Sequence, residues 1–488
     1  MSGSGLRGLF GRGLRQRAKR VLGPLLRRRA PRRVDLPLSL WRLERDAAGG
    51  LRLDGVELAS LLDRFGSPLH LVDAARLAGN AERFTARPPG ASRACEVYSS
   101  YKTNPVPGVL RELHARGIGA EVVSPYELWL ALRLGVDPAA IVYNGPAKSE
   151  ASLAEAVGRG IGLVNVNART EIAPLAALAR RLGRRVRTGV RVVIPGGWGG
   201  QFGERIDTGA ALRAYEEARA CPELEVVAVH AHSGSEIATR AGLDGFLDGV
   251  LAFADSLRQR LRLEVQILDL GGSLACPTVS RIPERAQQMA VTFGCEPVPR
   301  PPEAVLSIDA YVARVAERIE GHCAARGIPP PRVFLEPGRA LTGNAQMLLS
   351  RVVQVRDPDD AGMTWAVLDA GINVAETVRG TFHQLFPVVE PPGAPRRLHR
   401  LTGPSCMQGD LLYPAWEIPA LSVGDAVAIM DAGAYFVPFS TDFSFPRPPV
   451  VMLAGGVVRP LRHGEAFEDL VALDEGLGRS GAAGGAAS

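Results

Sequence analysis

The residue around which chemistry could be built is Lys102, in the stretch Cys95-Glu-Val-Tyr-Ser-Ser-Tyr-Lys-Thr-Asn-Pro105. A short β-type run there delivers a lysine just ahead of a helix-opening Asn-Pro, so the amine stands at the mouth of a strand. An amine kept among Tyr101, Val97 and Tyr98 loses its charge at low cost and becomes a nucleophile. Taken alone, such a lysine is most often a solvated surface group. Three later segments change that balance: His230-Ala-His-Ser-Gly-Ser235, Leu270-Gly-Gly-Ser273 and Glu336-Pro-Gly-Arg339. Each follows a β-rich run. Glycines let backbone N–H groups approach an anion closely, and Arg339 adds a forked donor suited to phosphate. One such loop is an ordinary tight turn; three at consecutive strand ends point to a phosphate cradle.

His230 and His232 are two apart on a strand and so face the same way. They can be read as a metal pair in a barrel hydrolase, or as a ring laid against a flat ligand, with His230 a satisfied core histidine. No further His or Asp cluster at neighbouring strand ends completes a zinc shell, so the metal set is expected to be empty.

The elements that must position these groups are strands alternating with helices. Candidate strands are 96–100, 120–124, 141–144, 162–166, 188–194, 226–232, 265–270 and 333–335, with amphipathic helical stretches between them. Eight such units have the length and rhythm of a (β/α)8 barrel, the architecture whose strand ends gather catalytic groups. The expected division is a basic, flexible N-terminal extension over 1–50, a segment 51–69 that contributes to a second domain, the barrel over 70–345, a C-terminal β-domain of sandwich or barrel type over 346–475, and a disordered tail over 476–488. A helix is expected over 57–64, and the proline-rich stretch 276–302 reads as an excursion after the seventh strand. Beyond residue 349 short apolar runs punctuated by Gly and Pro, including 365–368, 411–413, 426–430 and 450–453, predict β-structure.

The net charge of +6 belongs to the N-terminus. Residues 1–34 hold eleven Arg or Lys and no acid, which leaves 6 − 11, or about −5, for the rest. The body is therefore no nucleic-acid binder. Leu6, Leu9, Phe10 and Leu14 interleaved with Arg7, Arg12, Arg15 and Arg17 suit peripheral contact of residues 6–33 with an anionic membrane, against the plainer reading of a disordered arm. Six scattered cysteines without C-x-x-C spacing indicate neither a disulfide framework nor a zinc ribbon and point to a reducing, cytoplasmic setting.

Taken in order, Tyr101-Lys-Thr-Asn104, Gly119-Ala-Glu-Val-Val-Ser124, His232-Ser-Gly-Ser235, Leu270-Gly-Gly-Ser273, Glu336-Pro-Gly-Arg339, Gly403-Pro-Ser-Cys406 and Asp431-Ala-Gly-Ala-Tyr435 resemble the alanine-racemase-like barrel enzymes that use pyridoxal 5'-phosphate. The pattern is most similar to their diaminopimelate, ornithine and arginine decarboxylase branch, over roughly residues 51–470. The resemblance implies removal of an amino acid's α-carboxylate. Lys102 would hold the cofactor as a Schiff base, Glu336 would keep its ring nitrogen protonated, and His232 would lie on the ring face. Ser235, Gly272, Ser273, Gly338, Arg339 and Tyr435 would hold the phosphate. Cys406 would arrive from a second subunit and protonate the carbanion, which implies a homodimer.

Two departures bear on the substrate. Diaminopimelate decarboxylases follow the cysteine with Glu and ornithine decarboxylases with Asp, where this chain has Met407. In Asp369-Ala-Gly-Ile-Asn373 the arginine expected four residues on is Thr377, with Arg379 two further along. Arg339, Arg379, Met407 and Tyr435 are thus the candidate substrate contacts, and the substrate is expected to be an amino acid other than diaminopimelate, free or tethered to a carrier. The hydrolase using His230 and His232, and a non-catalytic relative that binds a partner, stand as alternatives.

Overall fold

The computed structural model describes residues 21–197, 199–234, 236–359 and 361–476. They form two compact units: Ala75–Pro277 with Pro301–Asn344, and a second made of the chain up to Ala74, Thr278–Arg300 and the chain from Ala345.

The first unit is a closed parallel barrel. Its strands are β1 (Glu96–Ser100), β2 (Gly119–Val122), β3 (Ile141–Tyr143), β4 (Leu163–Val166), β5 (Val186–Val193), β6 (Leu224–Ala231), β7 (Ile267–Asp269) and β8 (Arg332–Leu335), each paired with the next and β8 with β1. The (β/α)8 expectation holds strand by strand. The intervening helices start where the sequence supplies an N-terminal cap: Ser124, Ser149, Thr239 and Ser307 each accept a hydrogen bond from the third residue on, which satisfies a backbone donor the helix leaves open.

Alternation along each strand builds the barrel interior in two layers. Tyr98, Val142, Leu163, Ala228, Ile267 and Phe334 meet in an apolar floor. Gly119 and Gly189 complete it without side chains: an added Cβ would come within 2.6 Å of the Tyr98 ring at Gly119 and 2.1 Å of Asn165 Oδ1 at Gly189. Two residues further on, every strand carries a polar side chain: Ser100, Glu121, Asn144, Asn165, Arg191, His230, Asp269 and Glu336.

The second unit is β-rich. One sheet runs Leu411–Pro419, Arg396–Thr402, Thr364–Leu368, Gln346–Arg356, Leu69–Asp73, Val450–Ala454 and Val457–Arg462, with Ala426–Ile429 and Leu385–Pro387 branching from Gln346–Arg356. The strands expected near 365, 411, 426 and 450 are all present, and the early helix is Leu58–Phe65. Two parts of the sequence reading are corrected. Residues 36–50 are built into this unit rather than forming a loose arm: Leu36, Trp41 and Leu43 are buried in its core, and Leu43–Arg45 pairs with Leu51–Leu53. Arg33 anchors the approach, ion-paired to Asp35 and Glu296 and lying 3.9 Å over the Trp416 ring. The excursion after the seventh strand holds the helix Glu284–Phe293 and joins the same unit.

Residues 21–29 are helical, with Val21, Leu22 and Leu25 exposed; the more N-terminal part of the proposed membrane-contact stretch, and the tail from 477, lie outside the described residues. Among the described residues no helix is long and apolar enough to cross a membrane. All six cysteines are free thiols.

Candidate active site

Closure of the barrel turns the polar layer into one network. Lys102, in a single 3-10 turn beyond β1, sets Nζ 3.2 Å from Glu121 Oε2. Ser100 Oγ donates to the same oxygen at 2.6 Å, and Asn144 Nδ2 donates to Glu121 Oε1 at 3.0 Å and to Glu336 Oε1 at 2.6 Å. Asn165 Nδ2 then donates to Asn144 Oδ1 and to Asp269 Oδ2, both at 2.8 Å. The lysine is thus half-exposed beside a buried carboxylate, which corrects the expectation of an apolar sleeve around it.

Placing three carboxyl groups in one dry layer separates their protonation. Burial pushes Glu121 up, but the Lys102 charge and the hydrogen bonds from Ser100 and Asn144 outweigh it and hold the carboxyl below its ordinary value. Burial raises Asp269 to about 7, even though the Gly271 N–H donates to it at 3.1 Å. Glu336 is raised well above the usual range by burial and then by the negative charges of Asp269 and Glu121, which disfavours its charged form. Burial lowers Arg191, which faces all three carboxyl groups and lies 4.5 Å over the Phe202 ring.

The loops at the strand mouths are fitted around His232. Gly271 has φ +61°, and a Cβ there would stand 2.4 Å from His232 Nδ1; Gly272 has no room either, with Glu336 O 2.6 Å from an added Cβ. The Gly272 N–H donates to His232 Nδ1 at 3.3 Å, and Ser273 Oγ meets Nε2 at 3.3 Å. Burial and the nearby Lys102 and Arg191 charges lower His232 to about 3, so the ring is neutral. Ser273 holds φ +73°, a left-handed conformation that costs a non-glycine residue about 1 kcal/mol or more. At Gly338 an added Cβ would meet Thr103 Oγ1 at 2.4 Å, and this close approach joins the loops after β1 and β8.

The structure therefore brings Lys102, His232, Gly272, Ser273, Glu336, Gly338 and Arg339 to one end of the barrel unit, while Ser235 lies outside the described residues. Cys406, Met407, Arg379 and Tyr435 belong to the β-rich unit. There Asp410 organises the cysteine turn, accepting from Ile372 N at 2.8 Å, Ser405 N at 3.0 Å and Ser405 Oγ at 2.6 Å. Cys406 and Met407 are exposed on that turn, Arg379 pairs with Glu376 at 3.2 Å, and Tyr435 stacks on Phe439 with φ +71°. Among the described residues His232 belongs to no group of three potential metal ligands. It is His230 that lies with Asp269 and Glu336, their ligand atoms within 4.8 Å of one another.

Sequence reasoning missed Ser100, Glu121, Asn144, Asn165, Arg191 and Asp269. The signal was present: each is a polar residue at or just past the end of an apolar strand, two beyond a floor position.

Residues 82–343 match the family described as the pyridoxal binding domain of the pyridoxal-dependent decarboxylases. The chain belongs to that family. A diaminopimelate decarboxylase of Methanothermobacter thermautotrophicus is 28% identical over 442 residues, covering 88% of this chain and 96% of the relative, and one from Aquifex aeolicus is 29% identical over 437 residues, covering 87% and 95%. A solved Aquifex aeolicus structure superposes with a TM-score of 0.75 at 27% identity, over 90% of this chain and 99% of that one. The diaminopimelate decarboxylase of M. jannaschii in complex with L-lysine shares the fold, with a TM-score of 0.77 at 23% identity over 88% and 97% of the two chains. The protein is accordingly a decarboxylase, a lyase, built on a (β/α)8 barrel with a second β-rich domain.

The residues present fit a pyridoxal group. A primary amine stands beside a buried carboxylate, a second buried carboxyl keeps a proton to share with a ring nitrogen, and backbone loops without side chains lie next to a neutral imidazole. Thr103 Oγ1, Asn165 Oδ1 and His230 Nδ1 are buried without a hydrogen-bond partner among the described residues, as expected where a polar ligand completes a site.

Proposed function

We propose that this chain removes the α-carboxylate of an amino acid at the barrel mouth, with pyridoxal 5'-phosphate as cofactor. The observation that carries the reading is the unbroken path Lys102–Glu121–Asn144–Glu336, which links an amine to a proton-holding carboxyl through three short contacts. Pyridoxal phosphate, when bound, supplies an aldehyde that captures amines and an electron-poor ring that takes up the electron pair left by carbon dioxide. Lys102 would hold the cofactor, and Glu121 orients its Nζ. Glu336 keeps its proton available to the ring nitrogen, and Asn144 fixes the carboxyl that bears it. His232, neutral and locked by Gly272 and Ser273, would offer the ring a flat face. Gly272, Ser273, Gly338 and Arg339, with Ser235 and Tyr435, would hold the phosphate. The Cys406 thiol would return a proton to the α-carbon, reaching the site from a second copy of the chain in a homodimer. Arg339, Arg379, Met407 and Tyr435 would contact substrate.

The curated relatives are named diaminopimelate decarboxylases. Met407 offers no charge to a distal ammonium, and we infer that the substrate here is a different amino acid, free or carrier-bound. The six free thiols favour a reducing, cytoplasmic setting. Borohydride reduction followed by peptide mass spectrometry tests the central assignment: the pyridoxyl mass should sit on Lys102, and finding it elsewhere or nowhere overturns it. The cluster of His230, Asp269 and Glu336 gives a second reading, a metal-dependent hydrolase. Stoichiometric metal in the purified protein, without cofactor absorbance, would favour it.

A further inference from the structure

A cavity of about 270 Å³ lies inside the β-rich unit, walled by three segments far apart in sequence. The insertion helix Glu284–Phe293 supplies Ala290 and Val291, the run after Arg379 supplies Phe382, and the strand Leu411–Pro419 supplies Tyr413 and Trp416. Gln408 and Gly409 also line it, directly after Cys406-Met407 on the turn that Asp410 organises. Among the described residues no carboxylate lines it. Three of its polar side chains are already engaged within the protein: the Tyr413 hydroxyl donates to His383 O at 3.2 Å, Trp416 Nε1 to Leu385 O at 3.4 Å, and Gln287 Nε2 to Ile282 O at 2.8 Å. The guanidinium that lines it, Arg379, is paired with Glu376.

Such walls reject an ammonium, which would be desolvated without a partner, and accept an uncharged apolar body. The space exceeds the roughly 150 Å³ that holds a benzene ring in an apolar protein cavity. We propose that this cavity receives the far end of the substrate's side chain, and that this end is an uncharged, ring-sized aromatic or acyl group. The inference rests on the decarboxylase reading, in which the Cys406 thiol meets the α-carbon. On that turn Cys406 is followed by Met407, which is itself uncharged, and then by Gln408 and Gly409 of the cavity wall, so the cavity begins two residues from the thiol. The helix that closes the cavity comes from the insertion after β7, so the chain has built a wall from the segment that interrupts its barrel.

The test uses the full-length protein loaded with pyridoxal phosphate and two ligands that differ at one end, L-ornithine and Nδ-benzoyl-L-ornithine. Calorimetric affinity reads the cavity, and carbon dioxide release reads the reaction. The benzoyl derivative should bind at least ten-fold more tightly than ornithine. Val291→Trp, at a half-exposed position on the insertion helix, and Gln408→Trp, on the exposed turn, should each abolish that preference. Equal affinity for the two ligands, or a preference that survives both substitutions, overturns the proposal. Should the preference appear and be abolished while no amino acid in a broad panel releases carbon dioxide, the cavity stands and the decarboxylase reading falls.

Discussion

Above the floor of Tyr98 and Phe334, the barrel buries Glu121, Asp269, Glu336 and His230 in one layer threaded by Asn144 and Asn165, whereas the β-rich unit fills its interior with Trp41, Leu51, Leu53, Met430 and Phe436. The buried acid Asp431 of the second unit is answered by Trp41 Nε1 at 3.2 Å and Thr278 Oγ1 at 2.6 Å, both neutral donors. One interior is arranged for cohesion. The other keeps like charges together, a costly arrangement that persists where chemistry needs a displaced protonation state. Substitutions in the two should therefore separate activity from stability.

The largest separation is expected at Lys102. Lys102→Ala should lower carbon dioxide release by about 10³-fold or more, since it removes the group that would hold the cofactor. It also leaves Glu121 buried without its cation, so unfolding should cost about 1–3 kcal/mol less, below the range of about 3–5 kcal/mol for a fully buried pair because the lysine is half-exposed. Denaturant titration beside a turnover assay reads both. Glu336→Gln should divide the two more cleanly. A neutral amide replaces a carboxyl whose charged form is disfavoured by burial and by Asp269 and Glu121, so the melting temperature should stay level or rise, while turnover falls by about 10²-fold or more. A variant that loses stability and activity in parallel would place Glu336 among structural groups.

In the β-rich unit, Met407→Glu should raise the turnover of meso-diaminopimelate about ten-fold or more from a weak starting level, by supplying a partner for the distal ammonium. Efficient turnover by the unaltered chain would show that Met407 does not discriminate. The smallest effect is one of pH. Asp269 binds its proton more tightly folded, to about 7, than unfolded near 3.8, so its contribution to stability is full below pH 4 and is lost as pH rises toward 7. His232, lowered from 6.5 to about 3 on folding, acts in the opposite direction, its contribution being lost as pH falls from about 6.5 toward 3, and the lowered His230 has the same sign. The difference between Asp269→Asn and the parent isolates the acid: the variant should gain relative stability from pH 4 to pH 7 in chemical denaturation, and a flat difference would refute the assignment.

The eight barrel strands were legible because each is a short β-branched run between helical stretches, and Lys102, Gly272 and Glu336 were legible because they close such runs in motifs. Glu121, Asn144, Asn165 and Asp269 were not. A lone polar residue at the end of a strand reads as a solvated tip, and only closure of the barrel turns four tips inward against each other. The helix Glu284–Phe293 was hidden by prolines on both sides, and residues 36–50 by the arginines before them. There the apolar positions that matter, Leu36, Trp41 and Leu43, follow no single period and find their partners hundreds of residues away.

That distance governs the order in which the molecule can be made. The strand Leu69–Asp73 sits mid-sheet, flanked on one side by Gln346–Arg356 and on the other by Val450–Ala454, with His70 opposite Val450. A ribosome delivers it early, yet both of its neighbours follow only after the entire barrel has emerged. Until then the backbone donors and acceptors along both of its edges wait unpaired. Contacts of such long sequence separation form slowly, and domains tend to fold as they are completed during synthesis. The barrel unit, bounded by Ala75 and Asn344, is complete in the growing chain before Val450–Ala454 emerges, so the sheet of the second unit is expected to close after it.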